Sequence, residues 1–312
     1  MSAKRLTVVL FLLVTVFMAA QVVAAQAVTI PSQKAAGEQL QLPGILHKPS
    51  GNGPFPAVVM LCGCGGYAEG GTDVKQQASW AQRLVQWGYV ALQVDSFSPR
   101  GFPNGVCDNP FNVNFDTRAG DAFAAKSYLS TLTFVDPNNI AVIGWSHGGI
   151  AVLRIIQGFG RDPEVRFKAA IAFYPYSIPV VFPDTPLLVL IGAKDDDSPA
   201  SLAESLEKDY KIWNWKPELS LKIYPTATHV FDYDTLPPGG TNFMGHHFEY
   251  DPEATSDAIA RTKDFLAKYI GVNISGQSIG GPSTASAISP SFAQPILQSK
   301  DVAASPCGCL TQ

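Results

Sequence analysis

A serine between glycines follows an apolar run near the middle of the chain. Residues 140–150 read Ile-Ala-Val-Ile-Gly-Trp-Ser-His-Gly-Gly-Ile, which places Ser146 in a Gly-x-Ser-x-Gly pattern. A serine on a sharp turn from a strand into a helix exposes its hydroxyl, and glycines are needed where a Cβ would collide with the neighbouring strand or helix. The pattern predicts nucleophilic catalysis by Ser146, but it is short enough to arise by chance, so its surroundings must decide.

A serine nucleophile needs a histidine base, because a hydroxyl at its ordinary pKa reacts poorly. His147 directly follows Ser146, so we expect its side chain to point away from the hydroxyl and its backbone N–H to face the reacting carbonyl. His229 lies just past the last predicted strand, where a base is expected. We interpret His246 and His247 as exposed loop side chains near the rim of the site, with a metal role as the alternative.

The base in turn needs a carboxylate that fixes its tautomer and stabilises the imidazolium. Asp195, Asp196 and Asp197 follow the apolar run 187–191 and compete for this role. A cluster of aspartates is also typical of a solvated turn or a helix N-terminus. The residues alone leave the choice among the three open.

A tetrahedral intermediate needs two N–H donors. Residues 62–66 read Cys-Gly-Cys-Gly-Gly directly after a predicted strand, and these glycines let backbone amides face a substrate. We expect the amides of Cys64 and His147 to form the oxyanion hole, with a tight turn of no catalytic role as the alternative for the loop. Cys62 or Cys64 as nucleophile ranks below Ser146, because a bridged or structural cysteine is inert.

Apolar runs alternate with amphipathic stretches between these motifs. Strands are predicted over residues 57–62, 89–94, 140–145, 169–174, 187–191 and 219–224. Helices are predicted over residues 74–87, 116–132, 150–157 and 201–213, and from Asp251 onward. This alternation predicts an α/β fold with a mostly parallel central sheet and helices on both faces, because parallel neighbours need long crossover connections. Functional residues then belong at the carboxyl ends of the strands.

The two ends of the chain differ in composition from its middle. Basic residues precede an apolar run over 6–20 and the small-residue segment 25–27, which is typical of a signal peptide over residues 1–27. An uncleaved membrane anchor is the alternative. Residues 271–312 are rich in Ser, Gly, Pro, Ala and Gln and predict a disordered tail, which leaves residues 28–270, a length suited to one α/β domain.

Charge limits the partners of this chain. The formal net charge is −4, and loss of the leader would remove Lys4 and Arg5 and make it more negative. A mildly acidic protein has no electrostatic basis for binding nucleic acid or an anionic membrane. We expect a secreted or periplasmic protein, without stable membrane insertion once the signal peptide is cleaved.

Five cysteines fall into two groups, one inside the domain and one in the tail. Export permits disulfides, and either Cys64 or Cys62 could bridge Cys107 and so tie together two loops. A soft-metal site built from the Cys-x-Cys pairs at 62/64 and 307/309 is the alternative, but no histidine accompanies either pair.

Two further motifs resemble those of the dienelactone hydrolase family of the α/β-hydrolase fold. Residues 192–200, Gly-Ala-Lys-Asp-Asp-Asp-Ser-Pro-Ala, match its Gly-x-x-Asp-x-x-x-Pro pattern, and residues 224–231 match its Tyr-x-x-Ala-x-His-x-Phe pattern. The resemblance spans about residues 37–270. It implies that Asp195 is the acid and His229 the base of a Ser-His-Asp triad.

The chain also departs from the founding members of that family. They use cysteine where this chain has Ser146, glutamate where it has Gly63, and arginine soon after the catalytic histidine, where it has Asp232 and Tyr233. Arg100 could partly replace a clamp for a substrate carboxylate, with a loop-anchoring ion pair as the alternative. Action on dienelactone itself is therefore not expected, and the serine variant resembles a general esterase.

The leading hypothesis is an exported hydrolase that cleaves small carboxylic esters or lactones through an acyl-enzyme. Trp145, next to the nucleophile, is a candidate substrate contact. No cofactor or metal is implied, because triad chemistry needs none. The Gly-Trp-Ser-His-Gly-Gly sequence is also similar to that of cutinase-like polyester hydrolases. A catalytically silent binding protein of the cell envelope on the same fold is the alternative from another class.

Overall fold

A computed structural model describes residues 24–33, 37–66, 73–158 and 163–271. Its strands are β1 (Ala24–Gln33), β2 (Gln39–Lys48), β3 (Phe55–Leu61), β4 (Val90–Val94), β5 (Val135–Trp145), β6 (Ala170–Phe173), β7 (Leu187–Gly192), β8 (Leu219–Tyr224), β9 (Thr241–Phe243) and β10 (His246–Phe248). Its helices are α1 (Val74–Gln86), α2 (Phe115–Ser130), α3 (His147–Ile155), α4 (Ala200–Ile212) and α5 (Pro252–Ile270). The expected signal peptide up to residue 23 and the expected tail beyond residue 271 lie outside the described residues.

The central sheet contains eight strands in the order β1-β2-β4-β3-β5-β6-β7-β8. Strands β3 to β8 pair in parallel, whereas β2 is antiparallel to both of its neighbours. Every residue of β3, β4, β6 and β7 is buried, as a sheet covered on both faces requires. The predicted mostly parallel sheet with helices is confirmed, and each of the six predicted strands is present.

Two strands at one edge of the sheet were not predicted from the sequence. In β2 the buried side chains of Leu40 and Leu42 alternate with the exposed Gln39 and Gln41, a period of two that indicates a strand with one covered face. Strand β1 begins at Ala24 and so includes residues that we assigned to the signal peptide. Its register pairs Val28 to Gln33 with Gly44 to Gln39, so most of this pairing would remain in a chain that starts at Val28.

The parallel strands bring distant loops to one edge of the sheet. Strands β3, β5, β6, β7 and β8 follow one another in the sheet and run in the same direction, so the segments that follow them emerge at the same edge. Beneath this edge, the ring centroids of Trp80, Trp145 and Phe173 lie 5.0–5.6 Å apart in the core. Within the described part of the chain, no helix has the length and apolar character that crossing a membrane requires.

Candidate active site

Ser146 occupies a strained turn between β5 and α3. Its backbone has φ 49° and ψ −115°, a conformation that costs a residue with a side chain on the order of 1–3 kcal/mol. A Cβ on Gly144 would lie 2.2 Å from the carbonyl oxygen of Gly148, and one on Gly148 would lie 2.1 Å from that of Leu61. The two glycines therefore allow β5, α3 and β3 to approach closely enough to form the turn.

The side chain of His229 bridges Ser146 and Asp195. Its Nε2 lies 3.0 Å from Oγ of Ser146, and its Nδ1 lies 2.7 Å from Oδ2 of Asp195. The other oxygen of Asp195 accepts hydrogen bonds from the backbone N–H groups of Asp197 and Ser198, at 3.1 and 2.6 Å. With Oδ1 occupied in this way, the carboxylate is fixed to accept the Nδ1 proton of His229, which leaves Nε2 to accept the proton of the serine hydroxyl.

The loops that carry the acid and the base are joined by backbone contacts. The N–H of Ala193 donates to the carbonyl of Tyr224 at 2.8 Å, and the N–H of Lys194 donates to that of Ala227 at 3.0 Å. A Cβ on Gly192 would lie 2.1 Å from the Ala227 oxygen, so this close approach depends on a glycine at the end of β7. These contacts explain why residues so far apart in sequence meet with good geometry.

Carboxylates around His229 control its protonation. Burial alone lowers the pKa of His229, but the hydrogen bond to Asp195 and the charges of Asp195, Asp197 and Asp232 more than offset it, so the pKa is raised above its usual 6.5. Oδ2 of Asp197 lies 3.2 Å from Nε2 of His229, on the side that also faces Ser146. The surroundings therefore favour the imidazolium that forms when His229 accepts a proton.

A buried hydrogen-bond cluster packs against the ring of His229. The ring of Tyr174 lies 4.7 Å from that of His229, and its hydroxyl donates to Asp232 at 2.6 Å. Asp232 also accepts from the indole N–H of Trp80 at 2.7 Å and from the Gln76 amide. Burial raises the pKa of Asp232, although these donors oppose the rise. Asp232 is thus an internal acceptor rather than a substrate clamp.

The ring of His147 is directed to partners other than the nucleophile. Its Nδ1 lies 2.9 Å from the Arg118 guanidinium, and its Nε2 lies 2.9 Å from the carbonyl oxygen of Pro110. Burial, and then the charge of Arg118, lower the pKa of His147 to about 3, so the ring is neutral at ordinary pH. Its amide belongs to the first turn of α3, where N–H groups have no acceptor within the helix.

The loop after β3 is tied down by a disulfide. Cys64 bonds to Cys107, which settles the alternative between Cys62 and Cys64 as its partner. Cys62 is buried without a disulfide, and burial raises the pKa of its thiol to about 12, so it is protonated and unreactive. A Cβ on Gly63 would lie 3.7 Å from that of Ser146, so the loop faces the nucleophile closely.

A cavity of about 800 Å³ opens above Ser146, a size suited to a small organic substrate. Its walls come from the loop after β3, the segment before α2, the loops after β6 to β8, and the β9–β10 hairpin, which the sequence did not predict. Most of the lining side chains are aromatic or aliphatic: Phe111, Phe115, Ile150, Tyr174, Tyr176, Ile178, Val230, Tyr233, Leu236, Phe243, Met244 and Phe248. Trp145 also lines the cavity, although its side chain belongs mainly to the core.

Two expectations about polar side chains are resolved by their contacts. The Arg100 guanidinium binds both carboxylate oxygens of Asp121, at 2.8 and 2.9 Å, and Arg100 is not part of the cavity wall. The prediction of a substrate clamp at Arg100 is therefore wrong, and the ion-pair alternative is correct. His246 is half-buried in the cavity wall and His247 is exposed. No group of three potential metal ligands occurs among the residues whose placement is described.

Comparisons with known proteins agree with this arrangement. A candidate carboxymethylenebutenolidase from Synechocystis sp. is 25% identical in an alignment over 263 residues that covers 77% of this chain and 94% of that protein. The solved structure of a candidate dienelactone hydrolase from Klebsiella pneumoniae is similar with a TM-score of 0.62 at 22% identity, covering 80% of this chain and all of that one. MGS-M1, an α/β hydrolase from a deep-sea metagenome, has a TM-score of 0.55 at 18% identity and covers 78% of this chain and 98% of its own. These likenesses confirm the α/β-hydrolase fold. Because the sequence profile of the dienelactone hydrolase family matches residues 42–270, the chain belongs to that family.

Proposed function

We propose that this protein is a serine hydrolase that cleaves carboxylic esters or lactones through an acyl-enzyme. The observation that carries the proposal is the hydrogen-bond chain from Ser146 Oγ to His229 Nε2, at 3.0 Å, and from His229 Nδ1 to Asp195 Oδ2, at 2.7 Å. At Ser146, this series of hydrogen bonds reaches a cavity large enough for an ester. Each member lies after a strand of the parallel sheet, where α/β enzymes carry their functional residues.

In the proposed reaction, Ser146 Oγ attacks the ester carbonyl while His229 Nε2 takes the hydroxyl proton. The imidazolium is stabilised by Asp195 and returns the proton to the alcohol oxygen as the carbon–oxygen bond breaks. Water then enters, gives a proton to His229 and attacks the acyl carbon; the imidazolium returns that proton to Ser146 Oγ as the bond to the acyl carbon breaks and the acid leaves. The raised pKa of His229 supports its role in holding the proton during each of these two steps.

The oxyanion of each tetrahedral intermediate would be held by the amides of Cys64 and His147. The His147 amide lies at the positive end of α3, directly after the nucleophile. The Cys64 amide belongs to the loop that faces Ser146 and that the Cys64–Cys107 bond anchors. Donors fixed in advance in a site of low polarity stabilise charge well, because they do not have to reorient during the reaction.

Export is part of the proposal. The composition of residues 1–27 and the Cys64–Cys107 bond support a secreted or periplasmic protein, since disulfides persist in oxidising compartments. The proposed mature protein consists of a hydrolase domain over residues 28–270 and a tail over 271–312. Sequencing the N-terminus of the protein recovered outside the cytoplasm would test the cleavage after Ala27.

A series of 4-nitrophenyl esters from acetate to dodecanoate tests the activity. We expect the wild type to hydrolyse at least the shorter esters, and Ser146→Ala and His229→Ala to lower kcat by at least about 1000-fold, because triad residues act as a unit. Asp264→Asn, which changes an exposed residue of α5, is the matched control and should leave kcat unchanged. Equal turnover by wild type and Ser146→Ala would contradict the proposal, and absence of turnover on every ester would favour the silent binding protein.

A second candidate is a cutinase-like hydrolase of insoluble polyesters. The observation that favours it is a group of exposed apolar side chains on residues that line the cavity: Phe111 at 72%, Tyr176 at 50%, Phe243 at 42% and Met244 at 57% exposure. Such a rim could contact a solid apolar surface while one polymer segment enters the site. Clear zones on agar containing a dispersed aliphatic polyester, formed by wild type but not by Ser146→Ala, would support this candidate.

A further inference from the structure

We propose that the cavity selects apolar or aromatic esters that carry no negative charge and rejects esters that carry a carboxylate. This inference rests on the proposed function, because it concerns the substrate class of the same site. The preferred substrate would thus differ in charge from that of an enzyme whose site binds an anionic substrate. The argument combines the charged groups of the cavity wall, the partners of the neighbouring arginines and the character of the aromatic surface.

The cavity wall carries carboxylates and histidines. Asp73, Asp108 and Asp197 line the cavity beside His147, His229 and His246, and none of the lining residues that the structure describes is lysine or arginine. Residues 67–72, which adjoin the loop after β3 in sequence, contain one glutamate and neither lysine nor arginine. A substrate carboxylate would therefore enter a site with negative groups and without a fixed cation to pair with.

The arginines packed behind the cavity already have partners. Arg100 forms a bidentate ion pair with Asp121. Arg118 is fully buried, where it donates to His147 Nδ1 and lies over the ring of Phe97, 4.6 Å from its centroid. Releasing either guanidinium toward a substrate would leave a buried group without its hydrogen bonds, which is costly. Neither arginine can act as a clamp for a carboxylate.

Asp73 places one carboxylate beside the nucleophile. Its Oδ2 lies 2.8 Å from the position that a Cβ on Gly63 would occupy, and Ser146 Cβ lies 3.7 Å from that same position. Asp73 is only 5% exposed, and its Oδ1 accepts a hydrogen bond from the Tyr233 hydroxyl at 2.7 Å, which fixes its orientation. Asp73 and Ser146 thus both lie next to Gly63, so this carboxylate is near a group bound at Ser146.

Asp197 places a second carboxylate near the reacting atoms: its Oδ2 lies 3.2 Å from His229 Nε2, and its Oδ1 lies 3.6 Å from Nε2 of His246. Two unit charges about 7 Å apart at an effective dielectric constant of about 20 repel each other enough to lower kcat/KM on the order of 50-fold. Asp108 is exposed and adds a weaker, salt-screened repulsion. The penalty for an anionic substrate is thus large enough to measure.

The remaining wall attracts uncharged groups. Aromatic side chains including Phe115, Tyr176, Tyr233, Phe243 and Phe248 offer flat apolar surface to an acyl or aryl group. Aromatic faces also accept a cation, whereas they offer nothing to a carboxylate. We therefore expect a higher kcat/KM for uncharged and cationic esters than for anionic esters of the same size.

Matched 4-nitrophenyl esters test this selectivity. The glutaric half-ester carries a terminal carboxylate, the glutaramic ester carries an amide of the same size without charge, and the 4-(trimethylammonio)butanoate ester carries a cation. For the wild type at low salt, we expect kcat/KM for the amide ester to exceed that for the carboxylate ester by at least about 30-fold, with the cationic ester comparable to the amide ester. The ratio of amide to carboxylate ester is the readout, because changes in the general rate cancel in it.

The variants Asp73→Asn and Asp197→Asn should each lower this ratio several-fold, and Asp264→Asn on the exposed face of α5 should leave it unchanged. Added salt should lower the wild-type ratio as well, which provides a second measurement that needs no variant. Equal kcat/KM for the carboxylate and amide esters in the wild type, or a ratio unmoved by both variants, would overturn the inference while leaving the esterase proposal intact. Absence of turnover on all three esters would overturn both.

Discussion

The His229 imidazole is shared by two carboxylates and one hydroxyl. Asp195 binds its Nδ1, whereas Asp197 and Ser146 both approach its Nε2. Two of the three aspartates that competed for one role in the sequence therefore contact opposite nitrogens of the same ring. In the proposed mechanism Asp195 orients the base, and Asp197 adds a charge that favours the protonated form.

This arrangement predicts the pH dependence of hydrolysis. The base must be neutral to accept the serine proton. Because the pKa of His229 is raised, its imidazole becomes protonated at a higher pH than an ordinary histidine does, and activity should be lost at that higher pH as the solution is acidified. We expect the acidic limb of kcat/KM to have its midpoint above the usual 6.5, and Asp197→Asn to move it to lower pH.

His147 cannot cause this limb, because its pKa is lowered to about 3. Asp264→Asn is again the control and should not move the midpoint. An acidic limb below 6.5 would contradict the raised pKa of His229, and a limb that Asp197→Asn leaves in place would show that the charge of Asp197 does not act on the base.

The elbow between β5 and α3 acts as a unit whose geometry depends on small residues. We expect Gly148→Ala to lower the free energy of unfolding by about 1–3 kcal/mol and to remove most activity, because its Cβ would lie 2.1 Å from the backbone oxygen of Leu61 and would displace Ser146. Denaturant unfolding and the 4-nitrophenyl ester assay measure the two effects.

Gly120→Ala is the matched comparison, since Gly120 lies in α2 and a Cβ there meets no other atom within 4 Å. This change should stabilise the protein by about 0.5–1 kcal/mol, because alanine loses less backbone entropy in a helix. Equal stability and activity of the two alanine variants would mean that the elbow tolerates a Cβ at Gly148 despite the close approach of the Leu61 oxygen.

Elements were predictable from the sequence in proportion to their burial. Strands such as β3 and β7 are apolar throughout because both faces are covered, so they stood out as continuous runs. Strand β2 is covered mainly on one face, so it is not a continuous apolar run. Strand β1 overlaps in sequence with the small-residue segment of the expected leader. The three-residue strands β9 and β10 are too short and too exposed for any periodicity to reveal.

At the scale of the whole molecule, the meeting of Ser146, Asp195 and His229 was predictable because each follows a strand and the three occur in the expected order. The hydrogen bonds of the surrounding side chains were not predictable. The Tyr174–Asp232, Trp80–Asp232 and Tyr233–Asp73 contacts join residues 58, 152 and 160 positions apart. Such pairs depend on how the sheet brings loops together, and no local pattern in the sequence identifies them.

The Cys64–Cys107 bond links the loop after β3 to the segment before α2. It closes a loop across 43 positions, so in the chain-entropy description its removal costs about 4 kcal/mol, with measured values for such bonds commonly about 2–4 kcal/mol. We expect Cys107→Ser to lower Tm clearly and to lower kcat as well, because the Cys64 amide would lose its anchor.

Thermal unfolding with and without a reductant provides the control for this prediction. The Tm of the wild type should fall on reduction toward that of Cys107→Ser, whereas the variant should respond much less, since it lacks the Cys64–Cys107 bond. Identical Tm values for the wild type and the variant under oxidising conditions would show that the bond contributes nothing to stability.

The central claim is that Ser146 is an activated nucleophile. The most direct measurement is labelling of the folded protein with a fluorophosphonate, followed by mass spectrometry of the intact chain and of its peptides. The account predicts one covalent adduct, located on Ser146, that is absent from Ser146→Ala and forms much more slowly in His229→Ala. A wild type that does not label, and so behaves like Ser146→Ala, would contradict it.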